Sequence, residues 1–143
     1  MRCRAKIMLI STLLFASPVA AQDSREPTSR TPAERTFILG QMRLFLSSIQ
    51  AISTGLAAGD MSLVVAEASA RGRRGTPVSA IPPEMKAKET PAWGTMMSGA
   101  RGGFDKMAEA AASGATSQQL IGQLGETMRT CVACHQSYRL VEQ

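Results

Sequence analysis

The chain has 143 residues, 44% of them apolar and only 4% aromatic, with 16 basic against 11 acidic side chains. Three of the basic residues, Arg2, Arg4 and Lys6, lie in a leader expected to be removed; 13 basic against 11 acidic residues remain, a net charge of +2, so the basic pI is no ground for nucleic-acid binding. What is left fits one domain, too poor in aromatics to build a large aromatic core.

Residues 1–21 read as a secretory signal peptide: a positive stretch (Arg2, Arg4, Lys6), an apolar run from Ile7 to Phe15, and small residues ending in Val19-Ala20-Ala21. The apolar run is too short to span a bilayer. Cleavage is expected before Gln22, giving an exported, periplasmic protein with no stable membrane insertion afterwards. Cys3 leaves with the leader. Residues 22–30 are polar and without periodicity, and are expected to be a flexible leader to a single domain over 31–143.

A first helix is predicted from Pro32 to Ala58. Thr31-Pro32-Ala33-Glu34 supplies an N-cap, a proline at the first helical position and the glutamate of a capping box. Phe37, Ile38, Met42, Phe45, Leu46, Ile49, Ile52 and Leu56 recur at three- and four-residue steps as one buried stripe. Gly59 ends the helix and Asp60 caps a second one carrying Leu63, Val64, Val65, Ala66 and Ala70, so the two form a tight antiparallel hairpin. The second helix fades at Arg71-Gly72-Arg73-Arg74-Gly75, whose arginines are either solvated or available to an acidic partner.

Four prolines, at 77, 82, 83 and 91, mark Thr76 to Pro91 as an irregular connection with one short helical turn at Glu84 to Lys88. Thr90-Pro91 opens a third helix bearing Trp93, Met96, Met97, Ala100, Phe104, Met107, Ala108 and Ala111. Its glycines 99, 102 and 103 cost about 1 kcal/mol each relative to alanine. They predict either a bend or a neighbour that needs the missing side chains. After Ser113-Gly114-Ala115, the capping box Thr116 to Gln119 starts a fourth helix running to Arg139. Leu120, Ile121, Leu124 and Met128 are expected on its inner face, which then continues to Cys131 and His135 and points His135 inward. Four amphipathic helices with a longer middle connection predict an all-α, antiparallel up-down-up-down four-helix bundle.

Cys131-Val132-Ala133-Cys134-His135 is the C-x-x-C-H attachment signature of a c-type haem. Two thiols three positions apart on a helix can add to the two vinyl groups of one porphyrin, and the adjacent imidazole can bind its iron. A redox dithiol would be expected near a βαβ pattern, which is absent from the sequence. A zinc site needs four ligands, and after loss of the leader only two cysteines and one histidine are left. One covalent haem c is therefore the expected cofactor, and its two propionates would bring the net charge near zero. Covalent haem attachment in bacteria requires export, so the leader and the motif support each other.

Placed at the end of the last of four helices and extended as C-x-x-C-H-x-x-Tyr-Arg through Tyr138 and Arg139, the motif resembles that of the class II c-type cytochromes, the cytochrome c prime group. Pro91-Ala92-Trp93 is similar to the proline and tryptophan that open the third helix in that family. The resemblance implies that the residue of the first helix facing the iron decides function. A methionine there gives a six-coordinate, low-spin iron, and Met42 is the candidate; an apolar residue leaves an open fifth-ligand-only iron, and Leu39, four after Arg35, matches that pattern. It also implies pairing into homodimers through the first two helices, where Arg43, Ser47, Ser48 and Ala51 leave the question open.

Trp93 and Phe104 are candidates to pack on the porphyrin, although a core would bury them in any case. Arg139, one turn past His135, is a candidate to pair with a propionate and is also favourable as a helix C-terminal cation. No enzyme site is expected: beyond His135 there is no histidine to act as a base, and no carboxylate pair has convincing spacing. The leading expectation is a periplasmic electron carrier with His135 and Met42 as axial ligands, exchanging electrons with periplasmic redox proteins. The alternative is a five-coordinate haem protein that binds nitric oxide or carbon monoxide as a sensor or scavenger. A haem-bearing structural or assembly subunit would leave no distinctive mark in the sequence.

Overall fold

The computed structural model describes residues 23–75 and 81–143. The expected signal peptide, Cys3 and Gln22, and residues 76–80 of the proline-rich connection, lie outside the described residues. Among the rest, the order is β1 (Glu26–Arg30), α1 (Pro32–Ala58), α2 (Met61–Arg71), α3 (Pro83–Ala87), α4 (Pro91–Ala112), α5 (Ser117–Ser137) and β2 (Tyr138–Glu142). The framework is helical, joined to one small two-stranded sheet. No helix among the described residues is long and apolar enough to cross a membrane.

Local chemistry sets the helix ends. Thr31 Oγ1 accepts from the Glu34 N–H, and the Glu34 carboxylate accepts from the Thr31 N–H at 2.8 Å. The two bonds satisfy two donors that a helix start would otherwise leave without partners. Gly59 closes α1 in the left-handed region at φ 71°, where a side chain would be strained. One residue on, Asp60 Oδ1 accepts from the Leu63 N–H at 3.0 Å and starts α2. Thr90 caps α4, and Thr116 with Gln119 forms the second capping box at α5.

Each long helix packs on the next: α1 on α2, α2 on α4 and α4 on α5, whereas α1 touches α5 only lightly. Phe45, Ile52, Val64, Phe104, Met107 and Leu120 meet in one core, and each buried side chain of this size stabilises by about 1.5–3 kcal/mol. Phe45 and Phe104 stack with ring centroids 5.6 Å apart. Gly55 lets α2 approach α1, since a Cβ there would lie 3.0 Å from the Asp60 carbonyl oxygen and 3.1 Å from Val64. Gly72 ends α2, and the next N–H, that of Arg73, donates to the Asp105 carboxylate and ties this turn to α4.

Three expectations are corrected. Residues 26–30 are not part of a flexible leader: they form β1 and pair in parallel with β2, Glu26 opposite Tyr138 and Arg30 opposite Glu142. The partner strand lies 112 positions along the chain, beyond the reach of any local pattern. The last helix ends at Ser137 rather than Arg139, because Tyr138 turns extended (φ −125°, ψ 148°) and the β-favouring Tyr-Arg-Leu-Val run pairs with β1. Leu46, expected on the buried stripe of α1, is 68% exposed, and Ile121 and Met128 of α5 are also exposed.

Candidate functional site

The rotation of α5 about its axis is set by α4. Thr127 sits against the bare backbone of Gly103, and a Cβ at Gly99 would meet Thr130 at ordinary contact distance. Facing α4 in this way, α5 buries Leu120, Leu124 and Thr127. The same stripe continues with steps of four and three to Cys131 and Cys134, both half-buried and both free thiols. His135 follows Cys134 by about 100° of helix rotation and is exposed. The expectation that His135 points inward is thus corrected. It followed the stripe through Met128, whereas the inward position belongs to Thr127, a polar residue that hydrophobic patterning passes over. Thr127 satisfies its hydroxyl by donating to the Gln123 carbonyl at 2.9 Å.

Burial pushes both thiols above the ordinary cysteine range, and the neighbouring Cys131 raises Cys134 further. Cys131 Sγ lies 3.9 Å from the Thr127 carbonyl oxygen. The His135 ring has no hydrogen-bond partner among the described residues, while its backbone carbonyl accepts from Arg25 Nη1 at 3.3 Å. Val132, one turn before His135, is an exposed apolar residue, and Met128 and Ile121 further up α5 are exposed as well.

Across the lightly packed α1–α5 seam, Met42 is half-buried against the core and Leu39 is half-buried. Ser117 Oγ donates to the Leu56 carbonyl at 3.1 Å and fixes the level of the two helices. From there, Met42 on α1 and Cys131 on α5 lie equally far along, about 21 Å at 1.5 Å per residue. Met42 and the C-x-x-C-H motif therefore occupy the same end of the seam.

The other candidates separate. Trp93, in the first turn of α4, is buried with its ring 5.4 Å from that of Tyr138 and edge-on to it. Phe104 is fully buried in the central core against Phe45. Arg139 is not a helix-terminal cation one turn past His135: it belongs to β2, where its Nε donates to the Arg25 carbonyl at 3.2 Å and lies 4.0 Å from Asp23. Asp23 is held at a pKa of about 2, chiefly by its hydrogen bonds from Arg25. One residue with no sequence signal also comes to this end. Arg30, on β1, is fully buried with its guanidinium over the Trp93 ring, 5.7 Å from the centroid. No family model, curated protein or solved structure matches the chain.

Proposed function

We propose that the chain is an exported c-type cytochrome of the class II kind, with α1, α2, α4 and α5 as an antiparallel four-helix bundle. Cys131 and Cys134 would hold one haem c through thioethers, His135 would ligate its iron, and the protein would pass single electrons between periplasmic partners. The carrying observation is the disposition of the motif: two free, half-buried thiols on one helix stripe and, beside them, an exposed imidazole with no hydrogen-bond partner among the described residues. Each thiol would add S–H across a vinyl C=C, the sulfur and the proton going to its two carbons, so attachment needs no oxidant. The haem, once bound, supplies a one-electron ferric/ferrous couple.

The surroundings fit a large apolar plate. Val132 beside His135, and Met128 and Ile121 further along α5, leave apolar surface open to water, and Leu46 does so on α1. The seam between α1 and α5 is looser than the α1–α2, α2–α4 and α4–α5 contacts. Met42 is the candidate distal ligand. Helical side chains lean toward their own helix N-terminus, so Met42 and His135, on antiparallel helices, lean toward a common level. Thioether opposite imidazole raises a haem potential and suits electron transfer.

The gas-binding alternative has one observation in its favour: Met42 is packed against the core, which would hold its sulfur back from an iron. The ferric spectrum of the haem-loaded protein, taken with a Met42→Leu variant, separates the two. A low-spin spectrum with a methionine charge-transfer band that is lost in the variant establishes the electron carrier. A high-spin spectrum indifferent to Met42, with binding of nitric oxide after reduction, establishes the alternative. In His135→Ala the haem should stay tethered but lose its normal spectrum. Failure of the chain to take up haem in a host that matures c-type cytochromes would sink both readings.

A further inference from the structure

We propose that Arg30 is the buried partner of a carboxylate, and that this carboxylate is a propionate of the haem carried at Cys131 and Cys134; the inference rests on the cytochrome reading. Arg30 is the largest fully buried side chain, 1% exposed. Its Nε has no hydrogen-bond partner among the described residues. An arginine keeps its charge in a protein, and an ion taken out of water without a counter-ion is strongly destabilising. The Trp93 face offsets part of that loss and supplies no hydrogen-bond acceptor for the guanidinium.

Three acids at this end of the fold are engaged elsewhere. Glu34, four positions on, is bonded to the Thr31 N–H and to Lys88 Nζ at 3.0 Å. Glu142, opposite Arg30 in the sheet, turns to Arg35 at 4.0 Å. Asp23 lies between Arg25 and Arg139. Among the described residues no carboxylate is within ion-pairing distance of Arg30. The site therefore has a fork of donors, a flat aromatic wall and no anion, which is the chemistry that receives a carboxylate.

Its position selects the source. Arg30 lies on Trp93, Trp93 lies against Tyr138, and the Tyr138 N–H donates to the carbonyl of Cys134. Three successive contacts thus join the guanidinium to the backbone of Cys134, whose thiol would carry the haem. Arg139, the cation that sequence favours for this task, is occupied by the Arg25 carbonyl.

The test compares Arg30→Met, Arg30→Gln and Arg30→Lys with the unchanged chain, each with and without haem. Without haem, Met and Gln should melt at or above the unchanged chain, because an uncompensated buried charge has gone. With haem they should melt lower, and Lys, which keeps the charge, should recover part of the loss. The reduction potential of the Met and Gln variants should also rise as pH falls through the acid-to-neutral range, as a propionate no longer held ionised takes up its proton. Equal losses of melting temperature with and without haem would make Arg30 a packing residue and overturn the proposal. If acetate or succinate raises the melting temperature of the haem-loaded chain, and Arg30→Met abolishes that rise, the carboxylate is a free small molecule and the propionate assignment is wrong. A chain that takes up no haem at all overturns the cytochrome reading and the propionate with it, a result distinct from equal losses in a chain that does.

Discussion

Thr127 of α5 rests on the backbone of Gly103 in α4, so closely that a Cβ at position 103 would collide with its hydroxyl and methyl groups and lie 3.0 Å from its Cβ. The contact fixes both the spacing of the two helices and the rotation that carries Cys131 and Cys134 to the inner side of α5.

Gly103→Ala should therefore destabilise by about 1–3 kcal/mol, the usual result of forcing a methyl group into a packed contact. Gly99→Ala on the same helix should do the opposite. Its new Cβ would meet Thr130 Cγ2 at 3.7 Å, ordinary contact, and alanine gains about 0.5–1 kcal/mol over glycine in a helix. Urea midpoints of the two variants should move in opposite directions. Equal shifts would mean that α4 and α5 lie further apart at Gly103 and Thr127 than a bare-backbone contact requires.

Glu34 gives the fold an acid-side weakness. The Thr31 N–H first, and Lys88 second, hold its carboxyl below the ordinary glutamate value of about 4.3. A carboxylate whose folded pKa is depressed contributes stability that is fully present above its unfolded pKa and is lost as pH falls toward the folded one. Stability should thus decline below about pH 4.3 more steeply in the unchanged chain than in Glu34→Gln, which is less stable at neutral pH but has no charge to lose. Melting temperatures of the two chains, followed from pH 7 to pH 3, should converge on the acid side. Parallel curves would show that Glu34 is not held ionised by the fold.

The helix ends were legible because their chemistry is local. Thr31 with Glu34, Asp60 after Gly59, Thr90 with Pro91 and Thr116 with Gln119 each act within four residues, and the structure has the corresponding caps. The C-x-x-C-H spacing was equally plain. What sequence could not supply was anything set by distant pairing. Nothing in Glu26–Arg30 points to Tyr138–Glu142, and without that sheet neither the early end of α5 nor the burial of Arg30 can be foreseen. The phase of α5 was misread by one residue, since Met128 looks more like a core residue than Thr127. A glycine on the facing helix reversed that order, and only the fold brings Gly103 opposite Thr127.

The same phase makes the two thiols chemically quiet. Burial raises Cys131 and Cys134 above the ordinary thiol value of about 8.5, and the thiolate is the reactive form. In the haem-free, folded chain both should react with iodoacetamide more slowly at pH 8 than in the chain unfolded in urea. The rates should approach each other as pH rises through and beyond the ordinary thiol value. Linkage gives the stability the same direction: the unfolded chain loses these protons first, so the haem-free protein should weaken as pH climbs from about 8.5 toward the raised folded values. A Cys131→Ser, Cys134→Ser double variant should lack this alkaline decline, and, on the proposed haem attachment, so should the haem-loaded protein, since a thioether has no proton to lose. Alkylation at pH 8 as fast in the folded chain as in urea would show that the thiols are open to solvent, and that the inner stripe of α5 ends at Thr127.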